Sequence, residues 1–395
     1  MIILFVFKIA LAYKSSEIKD SLILPVIDSL FGKYATLKLG GNYKNNQAMY
    51  SVSVFLGNPA KEFNLLLDIN SYHTWVEEKQ CKVCNGFQNQ YSPEDSLTFL
   101  NLSVKAFGES PYYCSFSGYS VSDFLSLYSD ISVISTRIPF AMANYDNQCT
   151  KTNFDGSLGL APLAIFTPTP IINYFNTSNE ISESVFAIYL NNFTSKSGYF
   201  TPSSSLMIGN FNLSDYSSNP ESVFYISTVE NSSKWKVVFD ELIVGKWSSP
   251  LNVNVIISST STKIQGDIND LISFAPDFKL LGLECYIVPN IFVFYCLTDD
   301  PNILPDLVFK YKNSTIVFPS SNIWECKKKN CTMDVIFDDG GFWVFGQSVL
   351  QSYFTIFNYD NQSIGFAPAI SAEFHEKQNS MSVWIAISFL VSIII

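Results

Sequence analysis

Apolar residues in this chain recur at alternate positions or in short unbroken runs, and almost nowhere at helical spacing. The runs YSVSVFLG, EFNLLLDI, SVFAIYLNNF, SSLMIGNF, KWKVVFDELIVG, LNVNVIIS and YFTIFNYDNQSIGFAPA are β-branched and aromatic, and Gly, Pro, Asn or Ser bounds them. Such patterning suits strands and predicts a mostly β protein. One segment, STKIQGDINDLISF, carries Ile264, Ile268, Leu271 and Ile272 on one helical face and predicts a short helix. At 395 residues, 47% of them hydrophobic and 15% aromatic, the chain can build two domains with a large buried core.

The stretch 200–222 is dense in Ser, Asn and Pro, with strand-rich sequence on both sides. It predicts a connection at 206–221 between an N-terminal lobe at 48–205 and a C-terminal lobe at 222–369. The net charge of -11 arises from scarce Lys and Arg, which leaves no basic footprint for nucleic acid.

Both ends read as address labels. Residues 1–12, MIILFVFKIALA, end in a small-x-small pattern and predict a signal peptide. Beyond a polar spacer at 370–382, residues 383–395 are hydrophobic with no following Lys or Arg. The tail is short of the ~20 residues a spanning helix needs, so a GPI signal and a short membrane anchor are both open readings. Export fits the acceptor sequons at Asn101, Asn176, Asn192, Asn212, Asn231, Asn313, Asn330 and Asn361.

Export also bears on the eight cysteines, which divide into Cys81, Cys84, Cys114 and Cys149, then Cys285, Cys296, Cys326 and Cys331. Four per half predicts two disulfides within each lobe, with three connectivities open in each. The Cys81–Cys84 spacing alone does not make a zinc site, and no metal or cofactor is expected.

The stretch YSVSVFLGNPAKEFNLLLDINSYHTWV resembles the start of the pepsin family of aspartic proteases, in which a strand delivers Asp-Thr-Gly-Ser to the floor of a cleft. FDGSLGLAP at 154–162 resembles the segment bracing that loop. SVFYISTVENSSKWKVVFDELIVGK, with Trp235, is similar to the strands that open the second lobe. FWVFGQSVLQSYFTIFNYDNQSIGFAPA, with Phe345 and Gly346, resembles the closing segment. The resemblance covers about 48–369. It implies a bilobal β fold with a central interlobe cleft, a six-stranded interlobe sheet and a monomer. Residues 13–47 then supply either a pro-segment or the first strand of that sheet.

The family chemistry needs one carboxylate from each lobe sharing a proton, one as base toward water and the other as donor to the peptide carbonyl. Asp68 matches the first. The second falls in LNVNVIISSTSTKI, where matching Thr260 and Ser261 to the family's Thr-Ser places Ile257 at the carboxylate, with Ser258 and Ser259 following. In the first loop Ile69 and Asn70 replace Thr and Gly, removing the hydroxyl that crosslinks the loops. The flap carries Tyr112 or Tyr113 at the expected Tyr, with Cys114, Ser115 and Phe116 in place of glycines. The resemblance places Ser71, Trp75, Tyr112, Tyr113, Thr260 and Ser261 around the cleft. Asp267, Asp270, Asp338 and Asp339 are poor substitutes for the missing carboxylate, and His73 lies too close in sequence to Ser71 and Asp68 for a catalytic triad.

These features predict an exported, glycosylated pseudoenzyme that binds a peptide or protein in its cleft, at the cell surface, extracellularly or in a lysosome. An active aspartic endopeptidase with a non-standard dyad, and a structural surface or matrix glycoprotein, are the alternatives.

Overall fold

The computed structural model describes residues 34–44, 47–81, 89–110, 114–130, 132–147, 154–162, 168–191, 204–288 and 292–370. The expected leader and tail therefore lie outside the described residues. Among those described, no helix is long and apolar enough to cross a membrane.

Strands dominate, as the apolar patterning predicts. An eight-stranded sheet organises the first lobe and runs in the order Gly40–Lys44, Gln47–Leu56, Lys61–Asp68, Gly156–Gly159, Trp75–Glu77, Val133–Asn147, Cys114–Tyr128, Leu100–Ser110. The turn before Lys61–Asp68 uses Gly57 at φ 86°, a backbone conformation a side chain would strain. From Phe63 onward this strand is almost wholly buried, which carries a carboxylate, Asp68, into the interior.

The second lobe holds a five-stranded sheet, Lys236–Phe239, Val253–Ile257, Trp343–Phe345, Ile264–Asp267, Val335–Asp338, and two four-stranded sheets. Between the lobes lies a six-stranded sheet in the order Ala35–Lys38, Ser205–Ile208, Val185–Tyr189, Tyr353–Asn358, Ser363–Pro368, Phe224–Ser227. Its two central strands come from different lobes, pairing Phe186 with Phe357, and those rings stack at 4.5 Å.

The expected helix is shorter than its periodicity suggests. Ile264–Asp267 is a strand, and the helix Ile268–Phe274 starts only after the Asp267 side chain accepts the Asn269 N–H as its N-cap. Ile268, Leu271 and Phe274 make the buried face, and Ile272 is exposed.

Candidate functional site

Two loops, one from each lobe, meet at the floor between the sheets. The first leaves the strand ending at Asp68, which runs parallel to Gly156–Gly159, with Asp68 opposite Gly159. The second leaves the strand ending at Ile257, which runs parallel to Trp343–Phe345, with Ile257 opposite Phe345. A Cβ at Gly159 would collide with the carbonyl oxygens of Ser71 and His73, and one at Gly346 with those of Ser261 and Lys263. Each loop is thus packed directly on its bracing segment.

Those collisions relate the loops by an approximate twofold. Ser71 Oγ donates to the His73 carbonyl at 3.2 Å, and Ser261 Oγ to the Lys263 carbonyl at 3.1 Å. The offset of 190 residues also separates Ile69 from Ser259, whose Oγ accepts the Ile69 N–H at 3.2 Å. Asp68 therefore corresponds to Ser258. The Asn70 N–H donates to Asp68 Oδ1 at 3.0 Å, and in the second loop the Thr260 and Ser261 N–H groups donate to Ser258 Oγ at 3.3 and 3.1 Å.

The structure thus corrects the sequence-based placement by one residue. Ile257 is fully buried, its N–H donates to the Trp235 carbonyl, and its side chain belongs to the second-lobe core. A carboxylate there would point into packed hydrocarbon. Thr260 and Ser261 correspond to Asn70 and Ser71 and are half-buried.

The expected loss of the interloop crosslink is also revised, because other atoms make it. Ser259 Oγ donates to the Leu67 carbonyl at 2.8 Å while accepting from Ile69. On the symmetric side Ile69 has no hydroxyl, and the Asn70 amide takes over. Its Nδ2 donates to the Ile257 carbonyl at 2.7 Å, and its Oδ1 accepts the Trp235 N–H at 3.1 Å. Asn70 is not among the residues at positive φ, so it does not imitate a glycine's backbone. Trp235 Nε1 and Tyr359 Oη both donate to the Leu160 carbonyl at 2.8 Å, adding two bonds across the lobes.

Asp68 is 5% exposed. Burial pushes its carboxyl up from 3.8 to about 6, against the opposing pull of the Asn70 and Ser71 N–H groups and the Lys234 charge. The folded protein then holds a proton that the unfolded chain releases between about pH 4 and 6. Stability should be greatest below the unfolded value and decline as pH rises through that window, by roughly 3 kcal/mol for about two units at 1.36 kcal/mol each. Asp68→Asn should flatten this slope in urea midpoints measured from acidic to neutral pH; an unchanged slope would assign it to other groups.

His73 packs its ring on Tyr72 and Phe116, and Ser71 bonds its backbone instead of its ring, so no triad is assembled. Trp75 is buried and stacked on Phe116 at 5.0 Å. It supports the Phe116 strand instead of offering a free cleft wall. Asp267 caps a helix, Asp270 accepts Trp343 Nε1 at 2.7 Å, Asp338 accepts the Gly340 N–H, and Asp339 is exposed. Tyr112 and Tyr113 lie outside the described residues.

In the second lobe the cysteines pair as Cys285–Cys296 and Cys326–Cys331. Cys81 is disulfide-bonded, and Cys84 and Cys149 lie outside the described residues, as does the side chain of Cys114. Asn101, Asn212, Asn231, Asn313, Asn330 and Asn361 are exposed, whereas Asn176 is half-buried and donates its amide to Ser184 at 2.8 Å. Asn192 lies outside the described residues.

A two-lobed β shell with twofold-related loops bonded across its floor defines a class of protein. The chain belongs to the eukaryotic aspartyl protease family, whose profile matches residues 49–369. It is similar to pepsin A of Rhinolophus ferrumequinum, 24% identical over 338 residues and covering 81% of each chain. Pepsin II-2/3 of Oryctolagus cuniculus is 24% identical over 355 residues, 85% of each chain. Pepsin-2B of Gadus morhua is 23% identical over 326 residues, 80% of this chain and 94% of that relative.

Proposed function

We propose that this protein is an exported pepsin homologue that binds an extended peptide or protein segment between its lobes and does not hydrolyse it. The observation carrying this reading is the pairing of one carboxyl, Asp68, with a hydroxyl, Ser258, at twofold-related positions. Family hydrolysis needs one carboxyl to take a proton from water while a second donates to the peptide carbonyl. Asp68 can hold a proton or release it, but cannot do both in one step. The Ser258 hydroxyl can donate a hydrogen bond, yet it is far too weak an acid to act as the second carboxyl.

The retained floor favours binding over a purely structural role. The Asn70 and Ser259 bridges hold the two loops at a fixed spacing, which keeps the groove between the lobes in a defined shape. A groove between β lobes suits an extended peptide, whose backbone groups bond along it irrespective of catalysis. Passage through the secretory route, glycans on the exposed sequons and a lipid or membrane anchor at the C-terminus complete the reading.

The test is digestion of a denatured protein mixture by the purified protein from acidic to neutral pH, beside Asp68→Asn, with tryptophan fluorescence reporting peptide binding. No cleavage by either protein, together with saturable peptide binding, is the expected result. Cleavage abolished by Asp68→Asn would overturn the inactivity. Absence of any binding would favour a matrix or coat role.

A further inference from the structure

The four second-lobe cysteines stand in one row. Their sheet runs Glu284–Val288, Val293–Leu297, Asn330–Met333, Trp324–Lys327, and its register sets Cys285 opposite Cys296, Cys296 opposite Cys331, and Cys331 opposite Cys326. Residues directly opposite in antiparallel strands project from the same face with Cβ atoms about 4.5–5.5 Å apart. All four sulfurs therefore lie along one face. The two outer pairs are closed as disulfides, and the inner neighbours, Cys296 and Cys331, belong to different ones. The inner two are fully buried, whereas Cys285 and Cys326 at the outer strands are half-buried. The same register that permits the two observed links permits a third between Cys296 and Cys331.

We propose that this row is a thiol–disulfide exchange relay: a small external thiol such as glutathione enters at Cys285, the bond moves to the Cys296–Cys331 pair, and a thiol emerges at Cys326. Two features at its ends support this direction. A hollow of about 650 Å³ opens beside Cys285, lined also by Pro276, Lys279, Leu283 and Glu284. It gives a small thiol access to the half-buried Cys285, and Lys279 offsets the charge of Glu284 in the same lining. At the other end Cys326 is followed by Lys327, Lys328 and Lys329; Lys327 pairs with Glu325 at 2.9 Å and Lys329 with Asp299 at 2.8 Å, which leaves the Lys328 charge to favour a departing thiolate.

The steps balance. The external thiolate attacks Cys285 Sγ, forming a mixed disulfide and expelling the Cys296 thiolate. That thiolate attacks Cys331 Sγ, forming Cys296–Cys331 and expelling the Cys326 thiolate, which takes a proton from water. A second external thiolate attacks its own kind's sulfur in the mixed disulfide, giving the oxidised external dimer and the Cys285 thiolate, which is protonated in turn. Two external thiols have been oxidised, and two protein disulfides have become one disulfide and two thiols. The covalent link now joins the central strands, and the outer strands Glu284–Val288 and Trp324–Lys327 are released from theirs.

The experiment treats the native full-length protein with two equivalents of reduced glutathione, blocks thiols with iodoacetamide, and maps the digest by mass spectrometry without further reduction. The expected product has Cys285 and Cys326 alkylated and a linked Cys296–Cys331 peptide pair, preceded by glutathione on Cys285. Alkylation of Cys285 with Cys296, or of Cys326 with Cys331, while the other disulfide stays intact would show independent reduction and overturn the relay. No reaction short of denaturation would overturn it as well. A folded C285S/C326S double variant should form Cys296–Cys331 on oxidation; two persistent buried thiols would contradict the register argument.

Discussion

Ser258→Asp should give this protein endopeptidase activity at acidic pH, about 10³-fold or more above the parent's background on an unfolded protein substrate. The reason lies in the shell around position 258. The Thr260 and Ser261 N–H groups already converge on its side-chain oxygen, as the Asn70 N–H does on Asp68. A carboxylate built there inherits those donors and shares a proton with Asp68, because two like charges side by side do not both ionise. Adding Asp68→Asn to the same variant should abolish the gain. Ile257→Asp should behave in the opposite way. That side chain is fully buried in the second-lobe core, and an unpaired carboxyl there should cost about 4 kcal/mol or more and lower the yield of folded protein. Peptide release and thermal melts on the three variants separate the positions. Activity gained at 257 and absent from folded Ser258→Asp would sink the twofold assignment.

Most of the architecture was legible because strand periodicity and flanking motifs carry it. Asp68 stood out through the apolar run that precedes it and Trp75-Val76 after it. The second loop's register is ambiguous in the sequence for a physical reason. Ser258-Ser259-Thr260-Ser261-Thr262 is an unbroken run of hydroxyls, and without a carboxylate to anchor it, two registers match the family pattern about equally well. The contact of Ser259 with Leu67 and Ile69, which come from the other lobe, selects one, and the matching Ser71 and Ser261 bonds agree with it. The role of Asn70 was hidden similarly. As a replacement for glycine it reads as damage, and its two long-range partners, Ile257 and Trp235, become neighbours only when the lobes close. The cysteine count suggested two bridges in the second lobe, but the row of four depends on strand register, which spacing along the chain does not encode.

Asn70→Ala should be the most damaging polar substitution on the cleft floor, lowering stability by about 2–4 kcal/mol. The amide satisfies the Ile257 carbonyl and the Trp235 N–H at once, and both groups sit in the closed seam between the lobes. Alanine leaves an acceptor and a donor without those partners, and the penalty is larger than the net worth of the bonds because neither group regains water. Ser259→Ala removes the symmetric bridge, and the two sites share the same pair of loops. A double-mutant cycle should therefore show coupling of about 1 kcal/mol instead of simple additivity. Urea unfolding of the parent, the single variants and the double variant supplies the four values. If Asn70→Ala costs less than about 0.5 kcal/mol, the amide is a surface decoration and the floor is held by the Ser259, Trp235 and Tyr359 bonds alone. A large loss with strong coupling would instead establish that the residue replacing a glycine works with the Ser259 hydroxyl to keep the two halves of this cleft in register.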